Sequence, residues 1–264
     1  MTSNNSPTKL TKLILVGATG KLGKSISNNN HVTYGVCSKH NPLLGKKIDD
    51  IQEPLISSLA EVNFEVANEP LVIDASYPEN FDNVYDFCYK NKTPLVLAST
   101  GHQQRQIKKI EKLSKEVAVL KAPNLSEGIA FFKEELLKPI IQLVKRKIYN
   151  SKSLSGVSLA PDLKIKICET HHEKKKDAPS GTALDLKDFI LKDFNSLEIE
   201  IESVRDKSSV GKHEVTFTIK NEEFIVSHNA LSRDIFGEGI NLALSIKDKN
   251  PGIYSMADLL KGQH

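Results

Sequence analysis

Tryptophan is absent from this 264-residue chain, methionine occurs twice and cysteine three times. Cys37, Cys88 and Cys168 are scattered, each in or beside an apolar run. A disulfide framework is therefore not expected, and a reducing cytoplasm is the expected setting. Long hydrophobic runs are lacking too: no stretch approaches the ~20 apolar residues of a membrane-spanning helix. The opening stretch 1–10 has no apolar segment of the kind a secretory signal carries and reads as a short unstructured lead-in. Charge of one sign is in short supply: 36 Lys and Arg face 33 Asp and Glu, and a net +3 is too small to argue for nucleic-acid or membrane-surface partners. Internal repeats and low-complexity segments are missing as well. What remains is 39% hydrophobic and 26% charged, ordinary for a globular protein long enough for one large domain or two modest ones.

Glycine, by contrast, is gathered where it can act. Residues 12–17 are a short apolar run of the kind buried in a parallel sheet. The run leads into Gly17-Ala18-Thr19-Gly20-Lys21-Leu22-Gly23, a G-x-x-G-x-x-G turn before a helical stretch, and a second apolar run follows at 31–37. A tight strand-to-helix turn needs glycine, and the backbone must come close to a pyrophosphate. The helix then aims its free N–H groups at that phosphate. In this βαβ setting the pattern points to dinucleotide binding. A carboxylate is missing where an NAD-type site places one, about 20 residues past the first glycine. Cys37, Ser38, Lys39 and His40 stand there, and the next acidic residue is Asp49. Lys39, with Lys21, suits a 2′-phosphate instead, so NADPH is the expected cofactor, with NADH as the alternative.

The alternation continues with strands expected at 71–75, 94–98 and 117–121 and helices over about 79–91 and 103–115. The segments 75–78, 98–101 and 122–125 all follow strands. In a doubly wound sheet those carboxyl ends form the ligand crevice. Ala98, Ser99 and Thr100, and Ala122, Pro123, Asn124 and Leu125, are the residues expected against the nicotinamide and its ribose. Asn124 or Ser126 then caps a long amphipathic helix to about Lys147, with Ile129, Phe132, Leu136, Ile140 and Val144 on its apolar side.

Beyond it the character changes. Residues from about 153 to 228 read as β-rich with one helix, at 182–194. Alternating strands are expected at 163–168, 199–204, 214–219 and 223–226, the last three antiparallel. A final helix over about 233–247 and the tail 252–260 return to the first domain. The fold class is thus α/β, with a Rossmann-type dinucleotide-binding domain (1–126 and 233–264) and a smaller α+β domain with a mixed sheet (127–232), for substrate and oligomer contacts.

Residues 169–182, Glu-Thr-His-His-Glu-Lys-Lys-Lys-Asp-Ala-Pro-Ser-Gly-Thr, read as one loop holding two imidazoles, three ammonium groups and a helix start. The segment 179–182 opens a helix, and the aligned N–H donors from Ser180 on, with the helix dipole, favour an anion such as a carboxylate. Histidine, with an unperturbed pKa near ~6.5, is a natural proton donor at neutral pH.

The string Glu169-x-His-His-x-x-Lys-x-Asp-Ala-Pro-Ser-Gly-Thr182 resembles the signature of the dihydrodipicolinate reductase (4-hydroxy-tetrahydrodipicolinate reductase) family. Supporting it are residues 16–23, Asp74 with Pro78-Glu79, Ser99-Thr-Gly101, 122–126, Gly211-Lys-His-Glu-Val215 and Ser232-Arg233 ahead of Phe236. The resemblance implies reduction of a cyclic dicarboxylate with NAD(P)H in the diaminopimelate and lysine pathway, by a homotetramer paired through sheets of the second domain. It makes His171 the general acid and Lys175 a second proton donor. His172 contacts substrate, and Ser180, Gly181 and Thr182 hold a carboxylate, the last two through backbone N–H groups. Gly17 through Leu22, Lys39, Ala98 through Thr100 and Ala122 through Leu125 line the cofactor, and no metal is implied. The chain departs from the family at Ala75-Ser76-Tyr77, at Ala98-Ser-Thr-Gly-His102 and in a shorter 184–204 connection. Two other classes compete: a metal-dependent hydrolase using His171, His172 and Glu173 as ligands, and a non-catalytic NADPH-binding regulator.

Overall fold

The computed structural model describes residues 11–67, 69–155, 163–195 and 197–262; the lead-in expected at 1–10 lies outside them. In chain order the main elements are β1 (Leu13–Val16), α1 (Lys21–Asn29), β2 (Tyr34–Val36), β3 (Leu71–Asp74), α2 (Phe81–Asn91), β4 (Leu95–Leu97), α3 (Gln104–Leu113) and β5 (Ala118–Lys121). There follow α4 (Glu127–Phe131), α5 (Lys138–Ser155), β6 (Leu163–His172), α6 (Gly181–Leu191), β7 (Ile199–Asp206), β8 (Gly211–Ile219) and β9 (Glu222–Ala230). The chain ends with α7 (Asp234–Glu238), α8 (Ile240–Ala243), β10 (Gly252–Tyr254) and α9 (Met256–Lys261). The residues gather into two compact units, Met1–Glu127 with Phe236–His264, and Gly128–Ile235.

In the first unit the strand order is β10-β5-β4-β3-β1-β2, and every pairing is parallel. Strands covered on both faces must be apolar throughout, which is why β1 and β4 are fully buried runs of Leu, Ile and Val. Phe81, Val84, Ile110 and Leu113 of the flanking helices pack on one face of this sheet. The tail joins it: β10 lies parallel to β5. The helix expected over 233–247 is broken into α7, α8 and a 3₁₀ turn, Leu244–Asp248. Gly237 and Gly239 fall at the break, and glycine is the poorest helix former after proline.

In the second unit the order is β7-β6-β8-β9. β8 is antiparallel to both neighbours, as expected. β7 is not antiparallel: it pairs with β6 in parallel, because α6 carries the chain back to the same end of the sheet. β6 also runs four residues past its expected end, so Glu169–His172 are strand and not loop. The cause is a period of two that outlasts the apolar residues: Leu163, Ile165, Ile167, Glu169 and His171 all face inward.

The long helix is present with a fault in it. Phe132–Leu137 is π-helical between α4 and α5. The wider turn shifts the apolar stripe by one position, so Leu137 and Ile141 are buried where Leu136 and Ile140 were expected, and Leu136 is 38% exposed. Phe132, Leu137, Ile141 and Val144 pack with Ile165, Ile167, Val215 and Phe217 of the sheet and Leu186 and Ile190 of α6. Asn124 accepts from the Ser126 N–H at 2.9 Å in the loop ahead of α4.

Candidate active site

The glycine turn is built by exclusion of side chains. Gly17 has φ +83°, and a Cβ on it would stand 2.6 Å from the Ala75 carbonyl oxygen. A Cβ on Gly23 would stand 2.2 Å from the Gly17 carbonyl oxygen. The N–H groups of Gly17 and Ala18 both donate to the Val36 carbonyl, at 3.0 and 3.1 Å, which fixes the turn onto β2. Gly20 caps α1 without a side-chain hydrogen bond. The helix start is thus of the kind that receives a phosphate. Lys21 and Lys39 are exposed, and Leu22 is half-buried. Thr19 Oγ1 accepts from Asn41 Nδ2 at 3.0 Å, tying the turn to the segment that carries Lys39. Asn41 was not among the expected site residues.

The segments after β3 and β4 are tied together by Asp74, which is fully buried. Its carboxylate accepts from the Ser76 N–H (3.0 Å) and hydroxyl (2.5 Å) and from the Ser99 hydroxyl (2.8 Å). Ser99 Oγ also lies 3.3 Å from His102 Nε2, and burial lowers the His102 pKa. Ser76, Ser99 and His102 therefore form one network around Asp74. Ala98, Ala122 and Leu125 are buried, Asn124 is half-buried, and Thr100 and Pro123 are exposed.

The second cluster sits at the end of β6. Glu169 and His171 point inward, two residues apart, and are 0% and 8% exposed. Glu169 Oε2 is hydrogen-bonded to His171 Nδ1. A carboxylate only accepts, so Nδ1 carries the proton and Nε2 is the free ring nitrogen. Glu169 Oε1 accepts from Arg205 Nη1 at 3.0 Å, and Arg205 Nη2 donates to the Asp177 carbonyl at 2.7 Å. Burial works to raise the Glu169 pKa, yet hydrogen bonds from Ser203 and Arg205 and the His171 charge hold it below the ordinary value. His171 is lowered, first by burial, against the pull of Glu169.

His213 on β8 is opposite Glu169 in register, and its ring lies edge-on to His171 with centroids 5.1 Å apart. Burial and then the His171 charge push His213 down to about 4. Its Nε2 lies 3.3 Å from Ser180 Oγ. Ser180 also caps α6, accepting from the Ala183 N–H at 3.2 Å, so its hydroxyl is committed. Gly181 is exposed and Thr182 half-buried in the first turn of that helix, after a cis Ala178–Pro179 peptide. Lys175 is bonded to Asp177 at 2.8 Å. His172 projects from the opposite face of β6, and its Nε2 accepts from Arg233 at 3.0 Å.

Glu173 is exposed and His172 faces away from His171, so the hydrolase ligand set does not converge. Glu169, His171 and His213 do present ligand atoms within 4.8 Å of one another. The Arg205 guanidinium on Glu169 already supplies a cation there, which opposes a second one. Arg205, His213 and Glu169 were missed as site residues. The alternation of β6 and β8 through their charged positions was the signal that could have found Glu169 and His213; Arg205 lies on β7, one residue past the strand's expected end, where the burial pattern no longer alternates.

Residues 11–125 match the family model described as dihydrodipicolinate reductase, N-terminus, and residues 150–260 the one described as dihydrodipicolinate reductase, C-terminus. The 4-hydroxy-tetrahydrodipicolinate reductase of Caldanaerobacter subterraneus subsp. tengcongensis is 34% identical over 95% of this chain and 98% of its own. That of Clostridium novyi is 32% identical over 97% of this chain and 100% of its own. The solved dipicolinate-bound dihydrodipicolinate reductase from Paenisporosarcina sp. TG-14 shares the fold, with a TM-score of 0.69 over 93% of this chain and 97% of that one at 19% identity. The chain belongs to the dihydrodipicolinate reductase family.

Proposed function

We propose that this chain reduces 4-hydroxy-tetrahydrodipicolinate to tetrahydrodipicolinate in diaminopimelate and lysine biosynthesis, with NADPH ahead of NADH and His171 as the proton donor. The observation that carries the reading is the inward-facing Glu169–His171 pair beside the start of α6. Loss of the 4-hydroxyl as water leaves a C=C bond conjugated with the ring C=N. The reduced nicotinamide, when bound, supplies a hydride to the far alkene carbon. The electron pair moves to the ring nitrogen, and a proton on the neighbouring carbon restores the C=N. That proton comes from His171 Nε2, with Lys175 as a second donor and as a cation near the ring.

A dicarboxylate needs cations and aligned donors. His172 with Arg233, and the Gly181 and Thr182 N–H groups behind the Ser180 cap, are the groups of the second unit suited to grip it. In the first unit, Gly17 through Leu22 serve the pyrophosphate and Lys39 the 2′-phosphate. Ala98 through Thr100 and Ala122 through Leu125 serve the nicotinamide ribose. No helix among the described residues is long and apolar enough to cross a membrane. A cytoplasmic homotetramer is part of the same reading, and its support is the family resemblance.

The test is a fall in NADPH absorbance with freshly made pathway substrate. Turnover is expected from the wild type, and kcat is expected to fall on the order of 10²–10⁴-fold in His171→Ala. An inactive wild type, or a fully active His171→Ala, sinks the assignment.

A further inference from the structure

We propose that Glu169 is a positioning residue for the proton donor, with Arg205 as the cation that keeps its carboxylate charged; this rests on His171 being that donor. The geometry is set by strand periodicity. Residues 169 and 171 are successive inward positions on β6, and Arg205 stands beside His171 on parallel β7. One carboxylate oxygen takes the His171 Nδ1–H and the other takes Arg205 Nη1 at 3.0 Å. Both oxygens are thereby engaged, and the imidazole is held with Nδ1 on the carboxylate and Nε2 beside Gly211. Gly211 is next to that nitrogen: a Cβ there would stand 3.0 Å from Nε2, so glycine leaves the approach open.

The placement is costly for stability alone. A wholly buried carboxylate must be compensated by its partners, and an apolar residue of like volume in that position would serve the core as well or better. Its neighbours indicate what it gives instead. Lys175 from the following turn, Arg205 from β7 and His213 from β8 all stand near His171, and each disfavours its protonation or is itself uncharged. Asp177 is engaged with Lys175. Glu169 is the anion in contact with the ring, so it favours the imidazolium that an acid must be before it acts. After proton transfer the neutral ring keeps its hydrogen on Nδ1, against the carboxylate. The ring then regains the Nε2 proton from solvent without turning over.

Glu169→Gln keeps the shape and the accepting oxygen and removes the charge. In it kcat is expected to fall on the order of 100-fold, the lower end of what a positioned acid contributes, with KM and NADPH affinity little changed. The limb on which kcat falls with rising pH is expected to move to lower pH, and Glu169→Asp to recover part of the loss. A structural role alone would not move that limb. Nitrogen-15 NMR of the wild-type histidines reads the same point without a variant: neutral His171 is expected to carry its proton on Nδ1. An unmoved limb in folded Glu169→Gln, or neutral His171 protonated on Nε2, overturns the inference. Absence of turnover in the wild type would instead overturn the reductase reading, and the NMR measurement would still decide the role of Glu169.

Discussion

The first unit meets its proposed ligand with main chain, and the second meets its own with side chains on the inner face of a sheet. At the glycine turn the groups that matter are N–H donors and the space left by missing Cβ atoms; Lys21 and Lys39 stand exposed at the rim. At the end of β6 the groups that matter are Glu169, His171 and His213, each under 9% exposed and each sharing a face with the hydrophobic core. A main-chain site is specified by what is left out, so it should tolerate most changes except added bulk. A side-chain site inside a core is specified by charge and register, so it should respond to pH and to conservative substitution.

The largest effect expected from that contrast is a pH dependence of stability centred on His213. Burial first, and then the His171 charge, push it down to about 4. Between the ordinary histidine value near ~6.5 and about 4 the unfolded chain binds a proton that the folded chain refuses. The contribution is therefore complete above that window and is lost as pH falls through it, by up to roughly 3 kcal/mol. Urea denaturation at either end should show the drop, and His213→Gln should remove most of it. An undiminished drop in that variant would mean that the titrating centre lies elsewhere.

Bulk is the next test. Gly23→Ala should cost about 1–3 kcal/mol, because its Cβ meets backbone that cannot move cheaply, and should abolish NADPH binding. Gly181→Ala, with open space where the Cβ would go, should stay within about 0.5 kcal/mol of wild type. Equal costs would erase the distinction between the two sites. The smallest effect is at the rim: Lys39→Ala should weaken NADPH about tenfold, the size of one charge-assisted contact, and leave NADH unchanged. Equal losses for both cofactors would remove the 2′-phosphate role.

What could be read from the sequence follows the same division. The βαβ unit was legible because glycine spacing and apolar runs are local, and Gly17 and Gly23 occupy the tight positions their spacing implied. The parallel β6–β7 pair was half legible: a helix between two strands was visible, and its consequence for strand direction follows from the crossover. The π-helical turn was not legible, since the run from Phe131 to Leu143 is rich enough in apolar residues to offer two adjacent stripes. Packing on Ile165 and Phe217 selects the one through Leu137 and Ile141. Asp74 was quoted as part of a motif, but its grip on Ser76 and Ser99 joins segments 25 residues apart and has no local signature.

The twin histidines make the identity of the donor a question of parity. His171 is the inward one because it is an even number of steps from Ile167, and His172 is turned outward because it is odd. A single residue inserted or deleted between Ile167 and Glu169 would keep every atom of the signature and invert its sense. Thr170 and His172 would face the interior, while Glu169 and His171 would be delivered to the far side. In this protein a frame error of one residue in a single strand would leave an imidazole facing inward without its carboxylate partner.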